Sequence, residues 1–128
     1  MKKINVLMID DNESLIDMVE EYFSGNEQIS ISFRAHDGEE GLKLIKEKKD
    51  DYDVILLDLI MPKKDGLYVL EEMKKQNINK KVIVETSYNA PDTIRKVSEY
   101  GVNYYILKPY DLNELEKRIL ETTNKAKG

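Results

Sequence analysis

The stretch that most constrains this chain is 54–66, V-I-L-L-D-L-I-M-P-K-K-D-G. Aliphatic residues flank Asp58 on both sides, the pattern of a strand buried on both faces. A lone carboxylate inside such a run costs several kcal/mol or stays protonated. The arrangement that avoids this puts Asp58 at the carboxyl end of the strand, where it meets water or a cation. Pro62 and the Asp65-Gly66 pair then form the loop that follows. A strand of this kind needs a neighbour on each side and helices above and below.

The rest of the chain supplies them. Ile4–Ile9 is a short apolar run ending at Asp10-Asp11. Residues 13–24 place Leu15, Ile16, Met18, Val19, Tyr22 and Phe23 at helical spacing, with Gly25 as a stop. Ile29–Ala35 alternates apolar and polar, as an edge strand does. Asp37 with Glu40 three residues on is a capping-box variant that opens a helix carrying Leu42, Leu44 and Ile45. A third helix is expected over 66–76, a fourth strand over 81–86, and a fourth helix from Pro91 to about Gly101. The fifth strand is expected over 102–107. Asp111 to Glu114 reads as a second capping box, opening a last helix with Leu112, Leu115, Ile119 and Leu120. Five strands alternating with five helices predict an α/β, doubly wound (βα)5 domain. Its sheet is parallel and five-stranded, with helices on both faces and right-handed crossovers.

With 128 residues the chain is expected to form one domain. It has no cysteine, so disulfides and thiolate metal sites are excluded. Its apolar runs are far shorter than the roughly 20 residues that span a bilayer. The N-terminus reaches an acidic pair at once, unlike a signal peptide. A cytoplasmic protein with no membrane association is expected. A net charge of −5 argues against direct nucleic-acid binding.

In a doubly wound sheet ligands bind outside the carboxyl ends of the strands, at the switch in strand order. Asp10 and Asp11 end the first strand, Asp58 the third, Thr86 the fourth and Lys108 the fifth. In the order 2-1-3-4-5 the first and third strands are neighbours, so three carboxylates converge. They repel unless one protonates or a cation joins them. An all-oxygen site suits Mg²⁺, or another divalent cation, and the backbone carbonyl of Ile60 is a further ligand candidate. Lys108 and Thr86 approach from the other side, a point charge and a hydroxyl suited to phosphoryl oxygens. Asp58 can then act as a carboxylate nucleophile that forms an aspartyl phosphate. Taken singly, each residue has a plainer reading. Acidic pairs at strand ends are usually caps, Lys-Pro is a turn signal, and Thr86 is an ordinary strand end. Their occurrence at one end of four strands carries the argument. His36 reads as a surface residue and the methionines as core filler.

The motifs D-D at 10–11, L-L-D-L-I-M-P-K-K-D-G at 56–66, T-S at 86–87 and Y-Y-I-L-K-P at 104–109 resemble the receiver domains of two-component response regulators. The likeness runs from Ile4 to about Glu121, so residues 1–121 are expected to be the receiver and 122–128 a polar tail or linker. The fold it implies is flavodoxin-like, with the order 2-1-3-4-5. It implies that Asp58 takes a phosphoryl group from a phosphohistidine on a sensor kinase or phosphotransfer protein. Asp11, Asp58 and the Ile60 carbonyl would bind Mg²⁺ directly, with Asp10 acting through water, while Thr86 and Lys108 hold the phosphoryl oxygens. Tyr105 matches the switch aromatic that turns inward with Thr86, and the Lys108–Pro109 bond would be cis. Ile60 and Tyr88 stand where side chains tune phosphoryl hydrolysis, and neither is suited to orienting a water. The output face would span residues 91–120, for a homodimer or an effector domain. No reaction on a separate substrate is expected beyond the chain's own phosphorylation and slow dephosphorylation.

Two residues depart from the family pattern. Ser87 stands where a small alanine is favoured, and Glu85 where an apolar residue is usual. A charge at 85 must reach solvent or find a cation. Three other readings remain open. A flavodoxin-like cofactor binder would need a Ser/Thr/Gly-rich phosphate loop where this chain has D-D-N-E-S. A phosphatase using an aspartate nucleophile would place it after the first strand. A degenerate receiver-like module would act without phosphate.

Overall fold

The computed structural model describes residues 3–61, 64–87, 91–102 and 104–123. Five strands, β1 (Ile4–Ile9), β2 (Ile29–Ala35), β3 (Val54–Asp58), β4 (Lys81–Thr86) and β5 (Tyr104–Leu107), alternate with five helices. These are α1 (Glu13–Phe23), α2 (Gly38–Glu47), α3 (Gly66–Lys75), α4 (Pro91–Glu99) and α5 (Leu112–Thr123). All pairings are parallel and the sheet order is β2-β1-β3-β4-β5, as the sequence predicts. β2 lies at the edge, and its register slips by one residue opposite Val6/Leu7. No helix among the described residues is long and apolar enough to cross a membrane.

The pleat sorts the strand residues into two cores. Leu7, Ile9, Ile55, Leu57, Val82 and Val84 pack with Leu42, Ile45, Val69, Leu70, Met73 and Val97 of α2, α3 and α4. Val6, Met8, Val54, Leu56, Ile83 and Ile106 pack with Ile16, Val19, Phe23, Leu115 and Ile119 of α1 and α5. The period of two then decides where polar residues at the strand ends point. Asp10 continues the row of Val6 and Met8, Asp58 that of Val54 and Leu56, and Lys108 that of Ile106. All three aim to the α1/α5 side.

Local signals set the helix starts. Asn12 accepts from Leu15 N (3.1 Å), Asp37 from Glu40 N (2.8 Å) and Asp65 from Tyr68 N (3.1 Å). Glu40 Oε1 accepts from His36 N at 2.8 Å, one residue ahead of the cap, so only the Asp37 half of the expected capping box forms. α5 departs from its expected capping box: Asp111 opens it through its carbonyl, which accepts from Leu115 N at 3.1 Å. α5 also runs to Thr123, past the boundary expected at Glu121. The Thr122 and Thr123 hydroxyls donate to the carbonyls of Arg118 (2.8 Å) and Ile119 (2.9 Å), so these polar residues extend the helix. β5 begins at Tyr104, two residues later than expected, with Val102 buried ahead of it. Gly66 is required at the start of α3, since a Cβ there would stand 2.6 Å from the Asp58 carbonyl oxygen. That contact lets α3 begin directly against the end of β3.

Candidate functional site

The carboxyl ends of β1 and β3 bring Asp10, Asp11 and Asp58 together, with ligand oxygens all within 4.8 Å of one another. Asp10 is fully buried and Asp58 is 5% exposed, while Asp11 faces solvent. Asp10 Oδ1 accepts from Asn12 N at 2.9 Å, and Asp58 Oδ1 from Ile60 N at 3.2 Å. The other oxygen of each meets Lys108: Nζ stands 2.9 Å from Asp10 Oδ2 and 3.3 Å from Asp58 Oδ2. Burial, and then the Asp10 charge, raise the Asp58 carboxyl to about 6, against the pull of Lys108 and the Ile60 N–H. For Lys108, burial acts downward, but the bond to Asp10 and the surrounding carboxylates outweigh it, and its pKa is raised.

The donor set fits a hard divalent cation. Mg²⁺–oxygen bonds of about 2.0–2.1 Å hold opposite ligands roughly 4.2 Å apart. Three carboxylates inside 4.8 Å reach that by a small contraction or with one acting through water.

The other expected residues fall around this centre. Thr86 is buried at the end of β4, and its carbonyl accepts from Lys108 N at 2.8 Å. That bond sews the lysine's backbone to the strand beside Asp58. Ile60 is 64% exposed at the end of β3. The Lys108–Pro109 bond is cis. Tyr105 is 38% exposed on β5, beside a surface pocket of about 400 Å³ that Leu107, Glu114 and Arg118 also line. Tyr88 lies outside the described residues. A larger cleft, about 800 Å³, opens at the opposite end of the strands between Lys74, Lys80 and Tyr100, away from the acids.

Glu85 corrects an expectation. Among the described residues its side chain reaches neither solvent nor a salt-bridge partner. It is fully buried, and the Tyr110 hydroxyl donates to its Oε2. Burial, and then contact with Asp10, push it well above the usual carboxylate range. Reasoning from sequence singles out Glu85 without its partner and misses Tyr110. One signal was present: Glu85 lies two residues past Ile83, on the same face as Asp58 and Lys108.

This geometry agrees with the chain's relatives. The pattern of the response regulator receiver domain matches residues 6–120, and the chain belongs to that family. The receiver domain of Francisella response regulator 1452 is similar at 31% identity and a TM-score of 0.84, with 97% of this chain and 99% of that one covered. A DNA-binding response regulator of the LuxR family from Staphylococcus aureus is 28% identical over 94% of this chain and 99% of its own, with a TM-score of 0.84. A CheX–CheY–BeF3–Mg²⁺ complex from Borrelia burgdorferi is similar at 26% identity and a TM-score of 0.82, covering 92% and 87%.

Proposed function

We propose that this receiver is a phosphorylation-driven switch in which Asp58 accepts a phosphoryl group from phosphohistidine on a sensor histidine kinase or phosphotransfer protein. The observation that carries this reading is the Lys108 ammonium bridging Asp10 and Asp58 above a three-carboxylate cluster. An Asp58 oxygen attacks phosphorus, the P–N bond breaks, and the imidazole nitrogen leaves with the electron pair and takes a proton. Mg²⁺, when bound, neutralises charge on the phosphoryl oxygens. Asp11, Asp58 and the Ile60 carbonyl would hold it, with Asp10 alongside, while Lys108 and Thr86 would receive the phosphoryl oxygens. A similar chain captured with BeF3, the shape of a phosphoryl group, and Mg²⁺ supports this assignment.

Phosphorylation adds about −1.5 to −2 charges. Carrying a two-state element from 1:99 to 99:1 takes about 5.5 kcal/mol of differential interaction. Lys108, Thr86 and the cation supply contacts of that order, and Tyr105 leaves its exposed position as Thr86 moves. The output is the face of α4, β5 and α5, offered to an effector domain or a second copy. The DNA-binding neighbour from Staphylococcus favours an effector that binds DNA. The segments D-D-N, I-M-P-K-K-D-G-L and Y-I-L-K-P-Y-D-L are similar to the receiver half of the sporulation master regulator of endospore-forming bacteria, which favours a role in sporulation within the cytoplasm. The only chemistry assigned to the chain is its own phosphorylation and slow dephosphorylation, with Ile60 and Tyr88 setting the lifetime.

Intact mass after incubation with acetyl phosphate and Mg²⁺ tests the reading. One phosphoryl group is expected on the parent and none on Asp58→Asn. No gain, under conditions that label another receiver, makes the chain a phosphate-independent interaction module instead.

A further inference from the structure

The buried carboxyl of Glu85 has no part in phosphoryl transfer as set out above, and its placement is specific. The register sets Asp58 beside Glu85 and Glu85 beside Ile106, so the carboxyl stands between the acceptor strand and the strand that ends in Lys108. Tyr110, two residues past Lys108, reaches back and donates its hydroxyl to Glu85 Oε2. On the other side of the lysine, Lys108 N donates to the Thr86 carbonyl at 2.8 Å. The two bonds bracket Lys108 and tie both its flanks to consecutive residues of β4.

We propose that Glu85 and Tyr110 form a positioning pair that holds the Lys108–Pro109 turn over the acidic cluster and sets where the Lys108 ammonium stands relative to Asp58. The role of that position in catalysis rests on the reading of Asp58 as the phosphoryl acceptor. Filling space does not require these side chains. A leucine at 85 and a phenylalanine at 110 occupy similar volumes without desolvating a carboxyl or a phenol. What the polar pair adds is direction, because a hydrogen bond fixes an angle that apolar packing leaves loose. The second Glu85 oxygen, Oε1, meets no donor among the described residues, and the carboxyl lies against Asp10, the residue that Lys108 holds at 2.9 Å. Glu85 accepts from Tyr110 through one oxygen while its carboxyl lies against Asp10. The pair therefore steadies both partners of the Lys108–Asp10 contact.

The test compares the parent with Glu85→Leu, Tyr110→Phe, Glu85→Gln and the double variant Glu85→Leu/Tyr110→Phe. Melting temperature and the initial rate of labelling by acetyl phosphate at saturating Mg²⁺ are measured for each. Either single loss of the bond slows labelling by about tenfold or more, the range seen when partners that orient a site's ligands are removed. Glu85→Gln keeps an acceptor for Tyr110, so it recovers most of the rate lost in Glu85→Leu. The double variant regains melting temperature but not rate. A double variant, or a Tyr110→Phe protein, that labels at the parent rate overturns the proposal and leaves the pair as packing. The ¹⁵Nζ–H signal of Lys108, assigned by its absence in Lys108→Met, gives a readout that needs no phosphodonor. It is protected in the metal-free parent, lost in Tyr110→Phe and back in Glu85→Gln. A signal equally protected in Tyr110→Phe overturns the proposal as well. A parent that takes up no phosphoryl group fails the switch reading, and this signal still decides the pair.

Discussion

Lys108→Met is expected to slow labelling of Asp58 by acetyl phosphate about a hundredfold, the loss typical when a charge-stabilising donor is removed, and to tighten Mg²⁺ binding in the same protein. The two effects have opposite signs because, on the proposed reading, Lys108 would do two jobs in sequence. At rest its ammonium stands 2.9 Å from Asp10 and 3.3 Å from Asp58, where it competes with a divalent cation for the same oxygens. Methionine removes that competitor and keeps the length of the stem. During the proposed transfer, negative charge would spread over the three equatorial phosphoryl oxygens, and the Lys108 ammonium would stabilise it. Methionine cannot do so. Stability changes less than a broken buried ion pair suggests. Removing one partner of such a pair usually costs about 3–5 kcal/mol because a charge is stranded. Here burial and Asp10 already raise the Asp58 carboxyl to about 6, and loss of the lysine raises it further, so less charge is stranded. Calorimetric titration with Mg²⁺ and intact mass over time measure the two arms. Equal Mg²⁺ affinity in both proteins removes the lysine as competitor, and an unchanged labelling rate removes it from the phosphoryl site.

Most of this site could be read from the chain because its geometry is carried by strand periodicity. Asp10, Asp58 and Lys108 each lie two residues beyond an apolar residue of the α1/α5 core, so the pleat alone aims them to one place. The same rule applies to Glu85, which follows Ile83 by two. The rule yields its direction but not its partner, because Tyr110 lies 25 residues away, beyond α4 and β5. Without the partner, a carboxylate in an apolar strand looks like a charge in need of solvent. The end of α5 was hidden for a related reason. Thr122 and Thr123 read as the start of a polar tail, yet their hydroxyls bond back to the previous turn and Thr122 is fully buried. Exposure of Tyr105 is likewise a property of β5 at the sheet edge, where alternate residues face out.

Metal-free Asp58→Asn is expected to melt several degrees above the parent near pH 7.5, and the gap is expected to vanish near pH 4. Asp58 has an ordinary value of 3.8 and a folded value of about 6. Between those values the folded state binds the extra proton, so stability falls as pH rises. The group's contribution is fully present below 3.8 and is lost as pH rises through about 6. A shift of this size corresponds to about 2–3 kcal/mol at neutral pH. Asparagine carries no charge at any of these values, so the difference between the two proteins reports the Asp58 charge together with its coupling to Asp10 and Lys108. Glu85, raised in the same direction, is present in both and cancels. Saturating Mg²⁺ then closes the gap at pH 7.5, because binding to the folded state stabilises the parent by RT ln(1 + [Mg²⁺]/Kd) and the variant has lost a ligand. Thermal melts from pH 4 to 8, with EDTA and with Mg²⁺, decide both points. A gap of constant size across that range means that Asp58 is not held up by burial and its neighbours. A gap that survives Mg²⁺ means that Asp58 is not among the oxygens that bind it, and the cation site shifts to Asp10 and Asp11.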